Sequence, residues 1–143
     1  HGYWGDITRT FIKGNAEEPL RHLVETVREV QQMALEWVAS GASGTFIHNQ
    51  ITAAFEIRGY PTTVTGRQPT GFIHSTGHGV GLDIHEFPRI SRKDILLKAG
   101  HVVTIEPGLY YPGIGGARFE DTVVVRENGY EFLCPCDVPR LIP

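Results

Sequence analysis

The sequence predicts an α+β domain in which two helices cover one face of an antiparallel sheet. Two observations lead to this fold class. Apolar residues recur at helical spacing in two successive segments near the start of the chain, 17–40 and 45–58. From residue 101 onward, short runs of β-branched and aromatic residues alternate with turn residues. Because strands joined by tight turns pair antiparallel, we expect this later region to supply most of the sheet.

The first elements are a strand and a long helix. Residues 3–12 combine aromatic and β-branched side chains, which favours a strand. Glu17, Glu18 and Pro19 are expected to open the helix, because acidic residues and proline are favoured in the first helical turn. It continues to Ser40, and Gly41 is its expected C-terminal cap.

The remaining elements follow from periodicity and turn residues. The second helix covers residues 45–58. Segment 61–100 is rich in glycine and proline, and we expect mostly turns there. Strands are expected at 101–106 and 117–126, and an Asn-Gly turn connects the latter to a hairpin partner at 130–133.

Size and charge exclude several classes of protein. The chain has 143 residues, a length that fits one domain, and 13 Lys and Arg against 16 Asp and Glu give a net charge of −3. That balance provides no basic surface for nucleic acid and no polybasic membrane anchor. No apolar run approaches the ~20 residues of a transmembrane helix. We therefore expect neither nucleic acid nor a membrane as a partner.

The cysteines predict a reducing compartment. Cys134 and Cys136 are the only two, and a single residue separates them. That spacing is poor for a disulfide, and two cysteines are too few for a structural zinc site. Free thiols and a cytoplasmic location are therefore expected.

Acidic residues stand where a buried strand would not favour them. Asp6 lies in the first expected strand, Glu106 follows a β-branched run, and Glu120 lies two residues after Arg118. A buried carboxylate costs free energy unless it is paired or binds a metal. If Asp6 lies on a solvent-exposed strand face, its carboxylate needs no functional site. A buried ion pair with Arg118 would likewise account for one of the two glutamates, Glu106 or Glu120.

Three histidines lie in a glycine-rich segment. His74, His78 and His85 occur within twelve residues, interleaved with glycines that disfavour a helix. Glycine next to imidazole allows the backbone to approach a ligand closely. The alternative is that each histidine is a hydrogen-bonded structural residue.

The candidate ligands favour a hydrolytic metal site. Asp6, His78, Glu106 and Glu120 form an oxygen-rich set that suits Mn, Co, Fe or Zn at a catalytic centre. A structural zinc would prefer cysteine and histidine. Composition does not establish that the four side chains meet.

Four ordered motifs resemble those of the pita-bread metallopeptidases, and look most like the Xaa-Pro aminopeptidases and Xaa-Pro dipeptidases (prolidases). The motifs are Gly5-Asp6-Ile7-Thr8-Arg9-Thr10-Phe11, His74-Ser-Thr-Gly-His78-Gly-Val-Gly-Leu-Asp-Ile-His85-Glu86, Ile105-Glu106-Pro107-Gly108-Leu109-Tyr110 and Gly116-Ala-Arg118-Phe-Glu120-Asp121. The resemblance extends over essentially the whole chain. It implies the pita-bread (creatinase/aminopeptidase) fold, of which this chain would be the C-terminal portion.

The resemblance also implies a ligand set. In that family two aspartates, one histidine and two glutamates hold two divalent ions, Mn, Co or Zn. By motif position, Asp6 matches the second aspartate and His78 the histidine, while Glu106 and Glu120 match the two glutamates. Asp6 and Glu120 would bridge the two ions.

Further roles follow from the same resemblance. Glu106 matches the general base. His85 matches a histidine that binds substrate and stabilises the transition state, and His74 matches a catalytic-site histidine that lines the substrate pocket. Arg118 matches an arginine near the metals that contacts substrate.

One family ligand falls outside the sequence. The first aspartate lies roughly eleven residues before the second, which places it ahead of His1. We therefore expect residues 1–143 to be the C-terminal part of one catalytic domain whose N-terminal half is absent. On that expectation the isolated chain binds at most one metal ion well and has impaired activity.

The expected function is metal-dependent hydrolysis of the bond between an N-terminal residue and a following proline, by a homodimeric enzyme. A methionine aminopeptidase-type exopeptidase would use the same ligands. A non-catalytic peptide-binding module on the same fold is the alternative from another class. Metal-free creatinase relatives lack the ligands that this chain retains.

Overall fold

The computed structural model describes residues 1–65, 67–136 and 141–142. In chain order the elements along these residues are β1 (Ile12–Lys13), α1 (Glu18–Glu36), α2 (Gly44–Ile57), β2 (Gly77–Gly79), β3 (Glu86–Ile90), β4 (Val102–Ile105), β5 (Gly108–Tyr111), β6 (Gly115–Arg118), β7 (Asp121–Arg126), β8 (Gly129–Phe132) and β9 (Leu141–Ile142).

A five-stranded antiparallel sheet forms the centre of the fold, with strand order β3-β2-β4-β7-β8. β5 and β6 form a separate hairpin, and β1 pairs with β9 in parallel. α1 packs against β4, β5 and β6, while α2 packs against α1 and β3. The expected α+β class, an antiparallel sheet with two covering helices, is confirmed.

The core lies between the helices and the sheet. Each helix contributes one apolar face, and the strands contribute their inward-facing residues. The largest fully buried side chains are Phe55, Leu23, Ile47, Ile51, Ile90, Leu97, Ile105, Leu109, Val27, Val30, Val38 and Val103. Among the described residues, neither helix is long and apolar enough to cross a bilayer.

The helices agree with the sequence except at one end. α2 lies within one residue of its expected bounds, and the Ser43 hydroxyl caps it by accepting from the Phe46 N–H at 3.1 Å. α1 ends at Glu36, so the expected end at Ser40 and cap at Gly41 are wrong. Tertiary hydrogen bonds replace the helical ones after this point. The Ser40 N–H donates to the carbonyl of Arg126 in β7, and the Gly41 N–H donates to the carbonyl of Leu97.

Two strands, β2 and β3, occur where mostly turns were expected. The glycines that suggested turns are required because neighbouring backbone passes very close to β2. A Cβ on Gly77 would lie 1.8 Å from the carbonyl oxygen of Thr104, and one on Gly79 would lie 2.5 Å from that of Phe87. Glycine at these positions therefore permits strand contact.

The expected strand at 3–12 is wrong except at its end, where β1 begins. The segment is nevertheless held antiparallel to residues 118–122. Thr8 forms a single bridge with Glu120, and the Thr10 hydroxyl bonds the backbone of Arg118. The Thr122 hydroxyl donates to the carbonyl of Asp6 at 2.6 Å. Threonine side chains thus replace most of the backbone ladder that defines a strand.

The expected strand at 117–126 is divided in two. β6 ends at Arg118 and β7 begins at Asp121, because the chain changes partner between them. β6 pairs with β5, whereas β7 pairs with β4 and β8. Glu120 lies at this change of partner, next to the N-terminal segment. The other expected strands, 101–106 and 130–133, match β4 and β8 to within one residue at each end.

Candidate metal centre

Three candidate ligands meet in the structure. Ligand atoms of Asp6, His78 and Glu120 all lie within 4.8 Å of one another. They come from the N-terminal segment, from β2 and from the junction of β6 and β7. Glu106, just after β4, is next to this cluster, with its Oε1 atom 3.3 Å from His78 Nε2. The structure therefore brings the four predicted ligand residues together.

His78 directs one ring nitrogen at these carboxylates. Its Nδ1 atom lies 3.0 Å from the carbonyl oxygen of Gly79, which can only accept, so Nδ1 carries a proton. Nε2 is thereby turned toward the carboxylates, 3.7 Å from Asp6 Oδ2. A neutral imidazole whose other nitrogen bonds a carbonyl is the usual form of a metal-binding histidine.

The carboxylates repel one another in a partly dehydrated site. Burial, and then the charge of Glu120, raise the pKa of Glu106 to about 7, against a smaller opposing effect of Arg118. Burial also raises the pKa of Glu120, although the Thr8 hydroxyl donates to its Oε2 atom at 2.5 Å. The negative charge is thus incompletely compensated by the protein's own groups.

A divalent cation fits this arrangement. Three carboxylates converge on one imidazole ring, and Arg118 is the cation that contacts Glu106 among the described residues. Carboxylate oxygens and one imidazole suit Mn, Co or Zn. A bound cation would counter the burial and the mutual repulsion that raise the pKa values of Glu106 and Glu120.

His85 lies beside the cluster and is exposed to solvent. Its ring centroid is 4.4 Å from that of His78, with the two planes at 74°. The loop between β2 and β3 supports this position, since the Glu86 carboxylate accepts from the Asp83 N–H at 2.9 Å. An imidazole here can reach a molecule bound at the cluster from the solvent side.

His74 lies farther back, and both of its ring nitrogens have partners. Nδ1 donates to the carbonyl of Ser75 at 2.8 Å, so Nε2 accepts from the Tyr110 hydroxyl at 3.1 Å. Burial lowers the pKa of His74, which favours this neutral form. The structure therefore connects His74 to Tyr110, and not directly to the ligand cluster.

Arg118 joins that group to Glu106. Its Nε–H donates to the Tyr110 hydroxyl at 2.9 Å, and its Nη1 atom lies 3.6 Å from Glu106 Oε2. Arg118 thus orients one oxygen of Glu106, while the other oxygen faces His78.

The sequence analysis did not identify several residues that support the centre. Thr8 donates to Glu120, Thr104 accepts from the His78 N–H at 3.1 Å, and Tyr110 links His74 to Arg118. Side chains alternate in extended chain, so Thr8 lies on the same face as Asp6, and Thr104 lies on the same face as Glu106. This alternation could have identified both threonines from the sequence. No local pattern pointed to Tyr110, because its partners are distant in sequence.

Comparison with known proteins gives the family. The sequence profile of Metallopeptidase family M24 matches residues 1–127. A Xaa-Pro dipeptidase from Pyrococcus furiosus is 44% identical over 132 residues, which are 92% of this chain and 36% of that protein.

Solved structures agree with this assignment. A Xaa-Pro dipeptidase from Bacillus anthracis superposes with a TM-score of 0.88 at 35% identity, over 99% of this chain and 38% of that one. An X-Pro aminopeptidase from Thermotoga maritima superposes with a TM-score of 0.83 at 34% identity, over 97% of this chain and 37% of that one.

The chain therefore belongs to metallopeptidase family M24, and its architecture is that of the pita-bread fold. Membership implies a centre for divalent metal ions. The chain spans a little over a third of the length of the relatives it matches.

Proposed function

We propose that this chain carries the metal-binding region of an exopeptidase that hydrolyses the bond between an N-terminal residue and a following proline. The observation that carries the proposal is the convergence of Asp6, His78 and Glu120, with Glu106 beside them, in a member of family M24. We further propose that residues 1–143 are the C-terminal part of the catalytic domain. Support comes from their share of the relatives' length.

Asp6, His78, Glu106 and Glu120 are the proposed metal ligands. The whole enzyme would hold two divalent ions, Mn, Co or Zn, bridged by Asp6 and Glu120, and these residues alone would hold at most one well. Bound ions would supply Lewis acidity, which lowers the pKa of water and polarises a carbonyl.

Glu106 is the proposed general base. Its carboxylate lies beside His78 at the metal centre and would take the proton of the attacking water. Arg118 would keep Glu106 oriented and contact the substrate. The close contact of Glu106 with His78 and its orientation by Arg118 support this role.

His85 and His74 are proposed to act on the substrate. His85 is exposed beside His78, so it can donate a hydrogen bond to the scissile carbonyl oxygen as negative charge develops. His74 would line the pocket, with its orientation fixed by Ser75 and Tyr110.

An assay of the full-length protein tests the proposal. With added Mn(II), we expect cleavage of a Xaa-Pro dipeptide, of a longer Xaa-Pro peptide, or of both, and loss of cleavage with chelator. Cleavage of the dipeptide alone would indicate a dipeptidase. Cleavage only of a peptide with N-terminal methionine and no proline would favour the methionine aminopeptidase alternative, and binding without cleavage would favour a peptide-binding module.

Glu106→Gln tests the catalytic assignment. The substitution keeps the size of the side chain but removes its basicity, so we expect turnover to fall by at least about 100-fold. Glu25→Gln, the same change on an exposed position of α1, is the matched control and should retain normal turnover. Near-normal rates for Glu106→Gln would contradict the assignment.

Two broader expectations belong to the whole protein. The free thiols Cys134 and Cys136 support the proposed cytoplasmic location. The homodimer stays a prediction, which light scattering of the full-length protein would test.

A further inference from the structure

The segment that carries Asp6 has little backbone pairing of its own. Within the described part of the chain, its one bridge before β1 joins Thr8 and Glu120, with N–H to carbonyl distances of 3.4 and 3.0 Å, and the Trp4 N–H donates to the Gly81 carbonyl at 3.0 Å. A single bridge fixes a segment weakly compared with a continuous ladder. The position of Asp6 relative to Glu120 therefore depends on other contacts.

Arg9 holds both sides of that bridge. Its Nη1 atom donates to the carbonyl of Glu120 at 2.6 Å and to that of Thr8 at 3.0 Å. Its Nη2 atom donates to Asp121 Oδ1 at 2.5 Å and to the carbonyl of Cys136 at 3.2 Å. The planar guanidinium can satisfy several acceptors in a fixed geometry, which a lysine ammonium does less well.

Asp121 connects this contact to α1. Its second oxygen accepts from Nε2 of the buried Gln31 at 2.8 Å. Adjacent residues of extended chain face opposite sides, so Glu120 faces the metal centre while Asp121 faces Arg9 and Gln31. The three side chains tie the N-terminal segment, the start of β7 and α1 together.

The pair of Arg9 and Asp121 is largely removed from water, with side-chain exposures of 16% and 10%. Dehydration offsets much of the attraction in such a pair, so a buried ion pair is weak evidence for stability. What it supplies is a definite geometry, because both charged groups require their partners. In this protein the geometry that it fixes is that of the backbone on either side of Glu120.

We propose that Arg9, Asp121 and Gln31 form a positioning unit that sets the distance between the carboxylates of Asp6 and Glu120 and thereby the affinity of the metal centre. The inference rests on the proposed function. None of the three residues is a metal ligand. They act through the backbone of Thr8 and Glu120.

The test measures metal affinity and stability separately in the full-length protein. The double variant Arg9→Gln with Asp121→Asn removes both buried charges and leaves no unpaired one, so its melting temperature should stay near that of the wild type. We expect its affinity for Co(II) to fall about 10- to 100-fold, as for other residues that support metal ligands. The visible absorption of bound Co(II) should also change, since it reports ligand geometry.

Arg126→Gln with Glu131→Gln is the matched control. It removes the same charges from an exposed ion pair between β7 and β8, and should leave Co(II) binding unchanged. Arg9→Lys should give an intermediate affinity for Co(II), because lysine keeps the positive charge but lacks the planar guanidinium group with its several donors.

The outcomes separate the two proposals. Wild-type Co(II) affinity and spectrum in the stable Arg9/Asp121 double variant would overturn the positioning role and leave the proposed function intact. Failure of the wild-type protein to bind Co(II) or Mn(II) would reject the proposed function, and this inference with it. If the double variant melts far below the wild type, the Arg9→Lys variant provides the test. Weaker Co(II) binding by Arg9→Lys at an unchanged melting temperature would support the positioning role. Unchanged Co(II) binding would reject it.

Discussion

His78 shows how one backbone contact prepares a side chain for metal. The carbonyl of Gly79 accepts from Nδ1–H, which directs Nε2 at Asp6 and Glu106. Metal-binding histidines are usually held in this way by a hydrogen-bonded carbonyl or carboxylate. At the scale of single residues, this arrangement is the clearest support for a metal centre.

Glu106 should make the stability of the metal-free protein depend on pH. Its pKa is about 7 in the folded protein against an ordinary value of 4.5, so the folded state holds a proton that the unfolded state has lost. This contribution to stability is full below pH 4.5 and is lost as the pH rises to 7. The loss amounts to roughly 3 kcal/mol at most.

Comparison with Glu106→Gln isolates that effect from other titrating groups. In chelator, the variant should gain stability relative to the wild type as the pH rises from 4 to 8, measured by denaturant unfolding at several pH values. The comparison is needed because burial lowers the pKa of His48 to about 4, which removes stability as the pH falls below 6.5. A difference between wild type and variant that is constant with pH would refute the assigned pKa.

Among the elements, β2 depends most on glycine. Two neighbouring strands, β4 and β3, approach it closely, and a Cβ at Gly77 would overlap the Thr104 carbonyl, which is backbone and cannot rotate away. The same strand carries His78, so its close packing and the metal centre are coupled. Gly77 and Gly79, which flank His78, therefore allow β4 and β3 to pack closely against β2.

Gly77→Ala should destabilise the protein by about 3 kcal/mol or more, because β4 would have to move. Thermal melting and soluble yield measure the effect. Gly5→Ala is the matched control: nothing lies within 4 Å of its added Cβ, so the change should stay within about 0.5 kcal/mol. A wild-type melting temperature for Gly77→Ala would show that β2 and β4 are not packed as described.

The success of prediction also differed by element. The helices follow from a local period, so α2 was placed to within one residue. The strands at 77–79 and 86–90 were missed, because glycine and proline have the same local signature in turns and in closely packed strands. The segment at 3–12 was wrongly expected to be a strand, since its pairing runs through threonine side chains.

For the whole molecule, the relation to longer relatives governs the expected metal content. The chain spans a little over a third of their length, and four of the ligands that the family resemblance implies lie within it. Under the proposed ligand assignment, a second ion would bind within residues 1–143 only through Asp6 and Glu120. One tight site is therefore expected for residues 1–143 alone.

Calorimetric titration with Mn(II) tests this expectation. The 143-residue chain, once shown to be folded by circular dichroism, should bind at most one ion tightly, and the full-length protein should bind two. His78→Ala should abolish the tight site in the chain, whereas a substitution of the exposed His85 should leave most of the binding. Two equally tight sites in the isolated chain would contradict the prediction.

The sequence by itself determined the fold class, the helices and the four metal-ligand candidates, because helical periods and ordered motifs are local properties of the chain. Only the tertiary structure decided the contacts of Thr8 and Arg9 with residues more than a hundred positions away. Thr8 donates to the carboxylate of Glu120, and Arg9 donates to the backbone carbonyl of Glu120 and to the carboxylate of Asp121. It also decided which nitrogen of His78 faces the carboxylates and that Tyr110 joins His74 to Arg118. These contacts depend on register, burial and desolvation, which arise only when distant segments pack together.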